Sequence, residues 1–223
     1  MTVIEAPSPN HDSRDGQAVE ILLLHYTGMK SGEEAIARLR DPTAKVSAHY
    51  VVEEDGRILR LVPEERRAWH AGAARWRGGE NVNARSIGIE IVNPGHEWGY
   101  RAFPSQQMAA VRELARGILA RHGIPARNVI GHSDVAPARK EDPGELFDWA
   151  GLAAAGIGLW PQPVPIQWTD AEFCANLARY GYDVADPSAS CRAFCRHFRP
   201  ARIADAPDAE TTALLNGLLV LVD

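Results

Sequence analysis

Long apolar runs are absent from the sequence. A membrane-spanning helix needs about 20 apolar residues, and the run LLNGLLVLVD at residues 214–223 is too short. The first twenty residues also lack a basic segment followed by an apolar one, which is the pattern of a signal peptide. We therefore expect no membrane span and a cytoplasmic protein. The alternative is a periplasmic protein whose signal peptide precedes this chain.

Cysteine is scarce, and basic residues are not in excess. Lysine and arginine number 24 against 29 acidic residues, which gives a net charge of −5. Nucleic-acid-binding proteins usually carry a basic patch, so we expect no nucleic-acid partner. The three cysteines, Cys174, Cys191 and Cys195, lie in the last quarter of the chain. Their odd number and low density predict reduced, buried thiols and not a disulfide framework.

Apolar patterns predict several strands. The 223 residues, 45% of them hydrophobic, suffice for one or two domains with a buried core. Continuous or alternating apolar runs bounded by turn residues are typical of β-strands. Such runs occur in AVEILLLHYTG, in VSAHYVVEEDGRILRLV (two strands joined by Asp55-Gly56), in SIGIEIVN and in NVIGHSD. We expect residues 1–17, which are polar and contain proline, to be an extended lead-in, and residues 66–86 to be a long loop.

Helices are predicted between and after these strands. Ser31 and Glu34 form a capping-box pattern for a helix to about Arg40, and Ser105 caps a helix that ends at Gly123. The proline-bearing stretch LWPQPVPIQW is typical of a linker between domains. Beyond it the pattern predicts a small helical module with helices at about 170–180, 188–198 and 208–221.

Two predicted strands end in histidine, and an aspartate follows in the adjoining loop. His25 ends the strand ILLL, His132 ends the strand NVIG, and Asp142 lies ten residues after His132. Two histidines and one carboxylate are a familiar ligand set of hydrolytic zinc sites, which keep a fourth position for water. The spacing alone does not show that the three meet, because His25 and His132 converge only if their strands are neighbours. The alternative is that each is an ordinary surface or packed residue.

Glu90 and Lys140 are candidates for catalysis. Glu90 lies between Ile89 and Ile91 in an apolar strand, where a carboxylate is costly. Burial would raise its pKa, which suits a general base; the alternative is an outward-facing residue on a half-solvated sheet. Lys140 stands two residues before Asp142, close enough to stabilise a developing oxyanion. The alternative for Lys140 is a solvated loop lysine.

Five motifs occur in a specific order: LLLHYTGM, VSAHYVVEEDGRI, AWHAG, SIGIEIVN and GHSDVAPARKEDPG. Over about residues 5–160 the chain resembles the type 2 N-acetylmuramoyl-L-alanine amidases, a family related to peptidoglycan-recognition proteins. Ala48 before His49, together with Glu90, resembles the bacterial branch more than the phage lysozyme-amidases. The tail, about 168–223, resembles a three-helix peptidoglycan-binding module more weakly. The alternative for the tail is a helical appendage that only packs on the rest.

The resemblance implies a fold and a domain organisation. The fold is α/β, with a mixed central β-sheet flanked by helices and a small C-terminal three-helix domain. The expected domains are a zinc amidase catalytic domain at residues 1–160, a proline-rich linker at 161–167 and a helical peptidoglycan-binding-like domain at 168–223.

The resemblance also implies a site. It makes His25, His132 and Asp142 the ligands of one Zn²⁺ per chain, Glu90 the catalytic carboxylate and Lys140 the oxyanion-stabilising residue. In the loop 66–86 we expect substrate contacts from Trp69, His70, Asn83 and Arg85.

The implied reaction is hydrolysis of the amide between N-acetylmuramic acid, or its 1,6-anhydro form, and L-alanine of the stem peptide, in cell-wall recycling. The expected partners are therefore peptidoglycan fragments, and the oligomeric state is not predicted. Two rivals stay open: a non-catalytic peptidoglycan receptor and a periplasmic wall-remodelling amidase. A purely structural zinc site would need a fourth protein ligand, for which His49 and His70 are the candidates.

Overall fold

A six-stranded β-sheet forms the centre of the structure, a computed structural model that describes residues 2–222. The strands are β1 (Val3–Glu5), β2 (His11–Ser13), β3 (Ile21–Tyr26), β4 (Tyr50–Val52), β5 (Ile58–Arg60), β6 (Arg66–Ala68), β7 (Ser86–Ile91) and β8 (Val129–Gly131). The strand order in the sheet is β1-β5-β4-β7-β3-β8, while β2 and β6 form a separate antiparallel pair. Only the β4–β5 hairpin is antiparallel within the described sheet, so the sheet is mixed, as predicted.

Helices lie on both faces of this sheet. They are α1 (Gly32–Arg40), α2 (Val82–Arg85), α3 (Gly95–Trp98), α4 (Ser105–His122), α5 (His132–Val135), α6 (Trp149–Ala154), α7 (Asp170–Tyr180), α8 (Pro187–Phe198) and α9 (Ala209–Val222). The Ser31 side chain caps α1 by accepting from the Glu34 amide, and Thr169 with Glu172 forms a capping box on α7. Within residues 2–222, no helix has both the length and the apolar character needed to cross a bilayer.

Strand β3 is apolar along its length because both of its faces are covered. Leu22 and Leu24 pack in the cluster that includes Val111 of α4. Ile21 and Leu23 point the other way, into the cluster that includes the α8 residue Phe194. A fully buried strand has this continuous apolar pattern. The C-terminal helices therefore complete the core on one face of the sheet, and the division into two domains stays a prediction.

Three local predictions were wrong or incomplete. The extended lead-in predicted at residues 1–17 contains two strands that were not predicted, because β1 pairs in parallel with β5 and β2 pairs with β6. The loop 66–86 contains β6 and α2. Ser105 is the first residue of α4 and not its cap, and Pro104 stands at the cap position without a side-chain hydrogen bond. The missed strands have three residues each, which is too short for an alternating pattern to show.

The parallel strands β7, β3 and β8 bring their carboxyl ends to one edge of the sheet. His25 of β3 is the register partner of Glu90 of β7. Leu24 of β3 is the register partner of Gly131, the last residue of β8, so His132 follows at the same edge. Ligand sites in open α/β sheets form at this edge.

Candidate metal centre and active site

Three polar side chains meet at this edge of the sheet. Nδ1 of His25 lies 3.0 Å from Nδ1 of His132 and 2.9 Å from Oδ2 of Asp142. Nδ1 of His132 lies 3.0 Å from the same Asp142 oxygen. All three residues are buried. The structure therefore brings together the three residues that the sequence analysis proposed as ligands.

The ring of His132 is held in one tautomer. Its Nε2 lies 3.0 Å from the carbonyl oxygen of Ala71. A carbonyl only accepts, so Nε2 carries the proton and donates it. In the neutral ring, Nδ1 is then an unprotonated acceptor that faces Asp142.

The ring of His25 is held in the same tautomer by a chain of hydrogen bonds. The Ser86 hydroxyl donates to the carbonyl oxygen of Val82 at 2.6 Å, so its oxygen is left to accept from Nε2 of His70 at 3.3 Å. Nδ1 of His70 is then an acceptor, and it lies 3.0 Å from Nε2 of His25. His25 donates from Nε2, which leaves its Nδ1 as a second unprotonated acceptor.

A divalent cation fits this arrangement. Three acceptor atoms that converge within about 3 Å repel one another unless a cation lies between them. Around a tetrahedral zinc ion, with bonds of about 2.0–2.1 Å, ligand atoms are separated by about 3.3 Å. His25, His132 and Asp142 form a group of metal-binding side chains whose ligand atoms lie within 4.8 Å of one another, the one such group in residues 2–222. The outer hydrogen bonds to Ala71 and His70 are those expected around zinc-binding histidines.

The charge of His25 agrees with a metal-binding role. Burial, together with the proximity of His132, lowers the pKa of His25 to about 4, so this ring is neutral at pH 7. A neutral imidazole and an ionised carboxylate are the forms that bind metals.

A fourth protein ligand is missing from the described part of the chain. Nδ1 of His49 accepts from the Gly88 amide at 3.0 Å, and its Nε2 lies 3.0 Å from the Arg66 carbonyl oxygen. His70 contacts His25 on the side of that ring that faces away from Asp142. Neither histidine therefore closes the site, and an open position is typical of catalytic zinc and not of structural zinc.

Glu90 lies beside this centre with an unpaired oxygen. Its Oε2 is buried and has no hydrogen-bond partner among residues 2–222. Burial and the nearby Asp142 raise the pKa of Glu90 well above its usual value, while Lys140 acts in the opposite direction. A carboxylate with a buried, unpaired oxygen and a raised pKa is the kind of group that can accept and return a proton.

A cavity of about 470 Å³ opens over these residues. Its wall includes His25, His132, Asp142, Glu90, Lys140, Trp69 and His70. Ligand pockets commonly measure about 300–1,000 Å³. The predicted ligands and the predicted catalytic pair therefore share one cavity with two of the four residues predicted to contact substrate.

The other two predicted substrate contacts lie elsewhere. Within residues 2–222, Asn83 and Arg85 are not part of the cavity wall. The Asn83 side chain accepts from the amides of His70 and Ala71 at 3.0 and 2.8 Å, so it fixes the backbone that carries His70. Arg85 makes an ion pair with Glu20 at 2.5 Å. Substrate contact by these two residues therefore stays a prediction, and the structure shows Asn83 bonded to the backbone that carries His70.

Sequence reasoning missed the support that surrounds the site. His70, which was predicted to contact substrate, lines the cavity and also lies against the candidate ligand His25. Buried Arg14 donates to the carbonyl oxygens of Glu64, Ala84 and Ser86 and lies beside His49. Arg14 lies in a segment with no apolar pattern, so only the folded chain shows that it ties the polar loops to the sheet.

Comparison with known proteins gives consistent matches. The family Amidase_2, described as N-acetylmuramoyl-L-alanine amidase, matches residues 15–145. The chain is 38% identical over 231 residues to the N-acetylmuramoyl-L-alanine amidase AmiD of Escherichia coli, covering 90% of this chain and 82% of AmiD. It is 36% identical over 162 residues to the 1,6-anhydro-N-acetylmuramyl-L-alanine amidase AmpD of Escherichia coli, covering 65% of this chain and 86% of AmpD.

Two solved structures match nearly the whole chain. AmiD, solved with anhydro-N-acetylmuramic acid-L-Ala-D-gamma-Glu-L-Lys, superposes with a TM-score of 0.82 at 36% identity and covers 94% of this chain and 90% of that chain. AmpDh3 from Pseudomonas aeruginosa, solved with anhydromuramic pentapeptide, has a TM-score of 0.79 at 33% identity and covers 94% of this chain and 93% of that chain. With its mixed sheet, its His-His-Asp cluster and these matches, the chain belongs to the N-acetylmuramoyl-L-alanine amidase family.

Proposed function

We propose that this protein is a zinc-dependent amidase that cleaves the bond between N-acetylmuramic acid, or its 1,6-anhydro form, and L-alanine of the stem peptide. One observation carries the proposal: the acceptor atoms of His25, His132 and Asp142 converge beside the unpaired carboxylate of Glu90, in an open cavity. This arrangement offers one Zn²⁺ per chain three ligands and leaves room for water and substrate.

The proposed substrates are peptidoglycan fragments. AmiD and AmpDh3 were each solved with an anhydromuramic peptide, and each resembles this chain over 94% of its length. Trp69 and His70 line the cavity. Trp69 offers an aromatic face on which a sugar ring can pack. This similarity supports a role in the turnover of anhydro-muropeptides, which is cell-wall recycling.

In the proposed mechanism, the chain's own residues orient the groups and move the proton. His25, His132 and Asp142 would hold a zinc ion, which would supply Lewis-acid polarisation of the scissile carbonyl and activation of water. Glu90 accepts a proton from the attacking water while the water oxygen bonds to the lactyl carbonyl carbon. The Lys140 ammonium stabilises the negative charge that develops on the carbonyl oxygen. Glu90 then gives the proton to the alanine nitrogen as the carbon–nitrogen bond breaks.

A digest of defined substrates tests this proposal. Zinc-loaded protein is incubated with anhydro-muramyl tripeptide and, separately, with muramyl tripeptide, and products are identified by mass spectrometry. We expect free tripeptide with an L-alanine amino terminus and the matching sugar acid, and no release after treatment with a chelator. Binding without release by protein that holds one zinc per chain would instead make it a peptidoglycan receptor. The ratio of the two rates gives the preference for the anhydro form.

The tail, the domain boundaries and the compartment need separate tests. We propose that residues 168–223 also bind wall material, as in the predicted domain division at 1–160, 161–167 and 168–223. Co-sedimentation of Glu90→Gln protein with insoluble cell walls tests that role, and protein left in the supernatant would refute it.

Fractionation of native cells tests the predicted cytoplasmic location against the periplasmic alternative.

A further inference from the structure

We propose that His197 of helix α8 is a positioning residue for the metal ligand His132 and acts through the buried carboxylate of Asp134. The proposal rests on the metal centre proposed above, and it gives the C-terminal helices a role in the catalytic site as well as in packing.

Asp134 is a fully buried carboxylate with three donors. The Tyr182 hydroxyl donates to its Oδ1 at 2.6 Å. Nδ1 of His197 and the amide of Gly131 both donate to its Oδ2 at 2.7 Å. A buried carboxylate is stable only when such donors satisfy it. Two of these three donors belong to the C-terminal part of the chain, so that part determines how the carboxylate is oriented.

The third donor, the Gly131 amide, connects Asp134 to the metal centre. Gly131 directly precedes His132, which is the first residue of α5. By accepting the Gly131 amide, Asp134 fixes the Ile130–Gly131 peptide, one residue before the Cα that carries the His132 ring. In the same turn, the Ser133 amide donates to the carbonyl oxygen of Asp142 at 2.9 Å. A displacement of Asp134 is therefore transmitted to the backbone of two of the three ligands.

The backbone at Gly131 has little room to adjust independently. A Cβ at this position would lie 2.7 Å from Cδ of Pro143 and 3.3 Å from the Trp149 ring. The ring of His197 stacks on that same Trp149 ring, with centroids 3.8 Å apart and planes at 21°. His197 therefore contacts Asp134 through a hydrogen bond, and its ring contacts the Trp149 side chain, which lies close to Gly131.

The preceding residue of α8 contacts the other end of this segment. The Arg196 guanidinium donates to Glu141 at 3.1 Å, next to the ligand Asp142. Arg196 is 8% exposed. Two consecutive residues of one helix thus contact the segment 132–142 near both of its ends. Groups bonded directly to metal ligands change metal affinity by about 10–100-fold when they are removed. His197 acts through one further residue, so we expect an effect at the lower end of that range.

His197→Phe tests the inference with the ring stacking retained. The variant removes the donor to Asp134 but keeps an aromatic ring against Trp149. We expect zinc affinity, measured by competition with a chromogenic chelator, to fall about 10-fold or more, and kcat to fall while KM changes little. His197→Asn places an amide nitrogen where Nδ1 stands, so it is expected to recover most of the affinity. Tyr182→Phe removes the second donor and keeps the experiment decisive if His197→Phe does not fold.

Arg192→Gln is the matched control on the same helix. Arg192 pairs with Asp205 in an exposed ion pair, so its loss is expected to leave zinc affinity and kcat unchanged. If folded His197→Phe and Tyr182→Phe proteins bind zinc as tightly as the wild type, the positioning role is refuted even when their melting temperatures fall. Wild-type protein that binds no zinc, or holds zinc and releases no peptide, would refute the proposed function instead.

Discussion

Nε2 of His25 lies 3.0 Å from Nδ1 of His70, and the His70 ring occupies the space above Gly88. A Cβ built on Gly88 would lie 2.5 Å from that same Nδ1 and 2.6 Å from Cγ, which is closer than real Cβ contacts. The missing side chain at position 88 is therefore what allows His70 to reach the candidate ligand.

Gly88→Ala is expected to displace His70 and weaken metal binding. Without an acceptor at Nε2, the His25 ring loses the hydrogen bond that fixes its tautomer and orientation, which costs about 10–100-fold in metal affinity. His70→Phe should give a loss of the same size, because it removes the acceptor and keeps most of the ring volume. Chelator competition measures the zinc dissociation constant of both variants.

Gly117→Ala is the control for this glycine. Its nearest neighbour is the flexible end of Arg121 at 3.0 Å, and alanine is favoured over glycine inside a helix such as α4 by about 1 kcal/mol. Its zinc affinity should equal that of the wild type. Wild-type affinity in folded Gly88→Ala and His70→Phe proteins would show that His70 does not orient His25.

Glu90→Gln is expected to abolish turnover and to stabilise the metal-free fold. The amide cannot accept the proton of the attacking water, and loss of a general base typically costs about 10²–10⁴ in rate. The raised pKa of Glu90 means that the folded state disfavours the charged form, so this carboxylate reduces stability as pH rises above about 4.5. We expect zinc content to be unchanged and the unfolding free energy at pH 7, measured with chelator present, to rise. A fully active variant would remove Glu90 from the mechanism.

Lys140→Met is expected to lower kcat more than it raises KM. The ammonium interacts with charge that develops only in the transition state, and loss of one such stabilising group costs about 10²–10³ in kcat. Lys30→Met is the control, because Lys30 lies over the Trp98 ring and outside the described cavity wall. Steady-state kinetics separates the two parameters, and a change confined to KM would make Lys140 a ground-state binding residue.

The parts of the fold that the sequence predicted are those with a strong local pattern. Strand β3 was found because both of its faces are buried, and α7 was found because Thr169 and Glu172 cap it. Strands β1 and β2 were missed because pairing with distant segments stabilises them, and their three residues carry no periodicity. Local patterns predict elements well only where the chain's own side chains determine them.

The candidate site divides in the same way. The residue types at positions 25, 132 and 142 indicated a metal site, and Glu90 and Lys140 were candidates from their positions in the sequence. The family resemblance then implied the role of each residue. His25 and His132 meet only because β3 and β8 are neighbours in the sheet. The residues of either strand, taken alone, do not specify this pairing. The contacts of Asn83 with the His70 backbone and of His197 with Asp134 join segments far apart in sequence, so they could be seen only in the folded chain.

Glu64 gives a prediction about stability and pH that lies away from the metal centre. Burial alone would raise its pKa, but hydrogen bonds from Arg121, Tyr50 and His122 outweigh burial and lower the pKa of Glu64 to about 2. A depressed carboxyl pKa contributes stability above the unfolded-state value, about 4.5, and that contribution is lost as the pH falls toward 2.

We therefore expect Glu64→Gln to reduce the unfolding free energy at pH 7 by an amount on the order of 1–3 kcal/mol. The difference from the wild type should shrink between about pH 4.5 and the lowest pH at which both proteins still fold. Urea denaturation with chelator present measures this difference in unfolding free energy without a contribution from metal release. Glu5→Gln is the control, because its ion pair with Arg60 is exposed and such pairs contribute about 0–1 kcal/mol. A loss that stays constant from pH 7 to pH 3 would indicate a packing defect, since only the ionised carboxylate makes the stability pH-dependent.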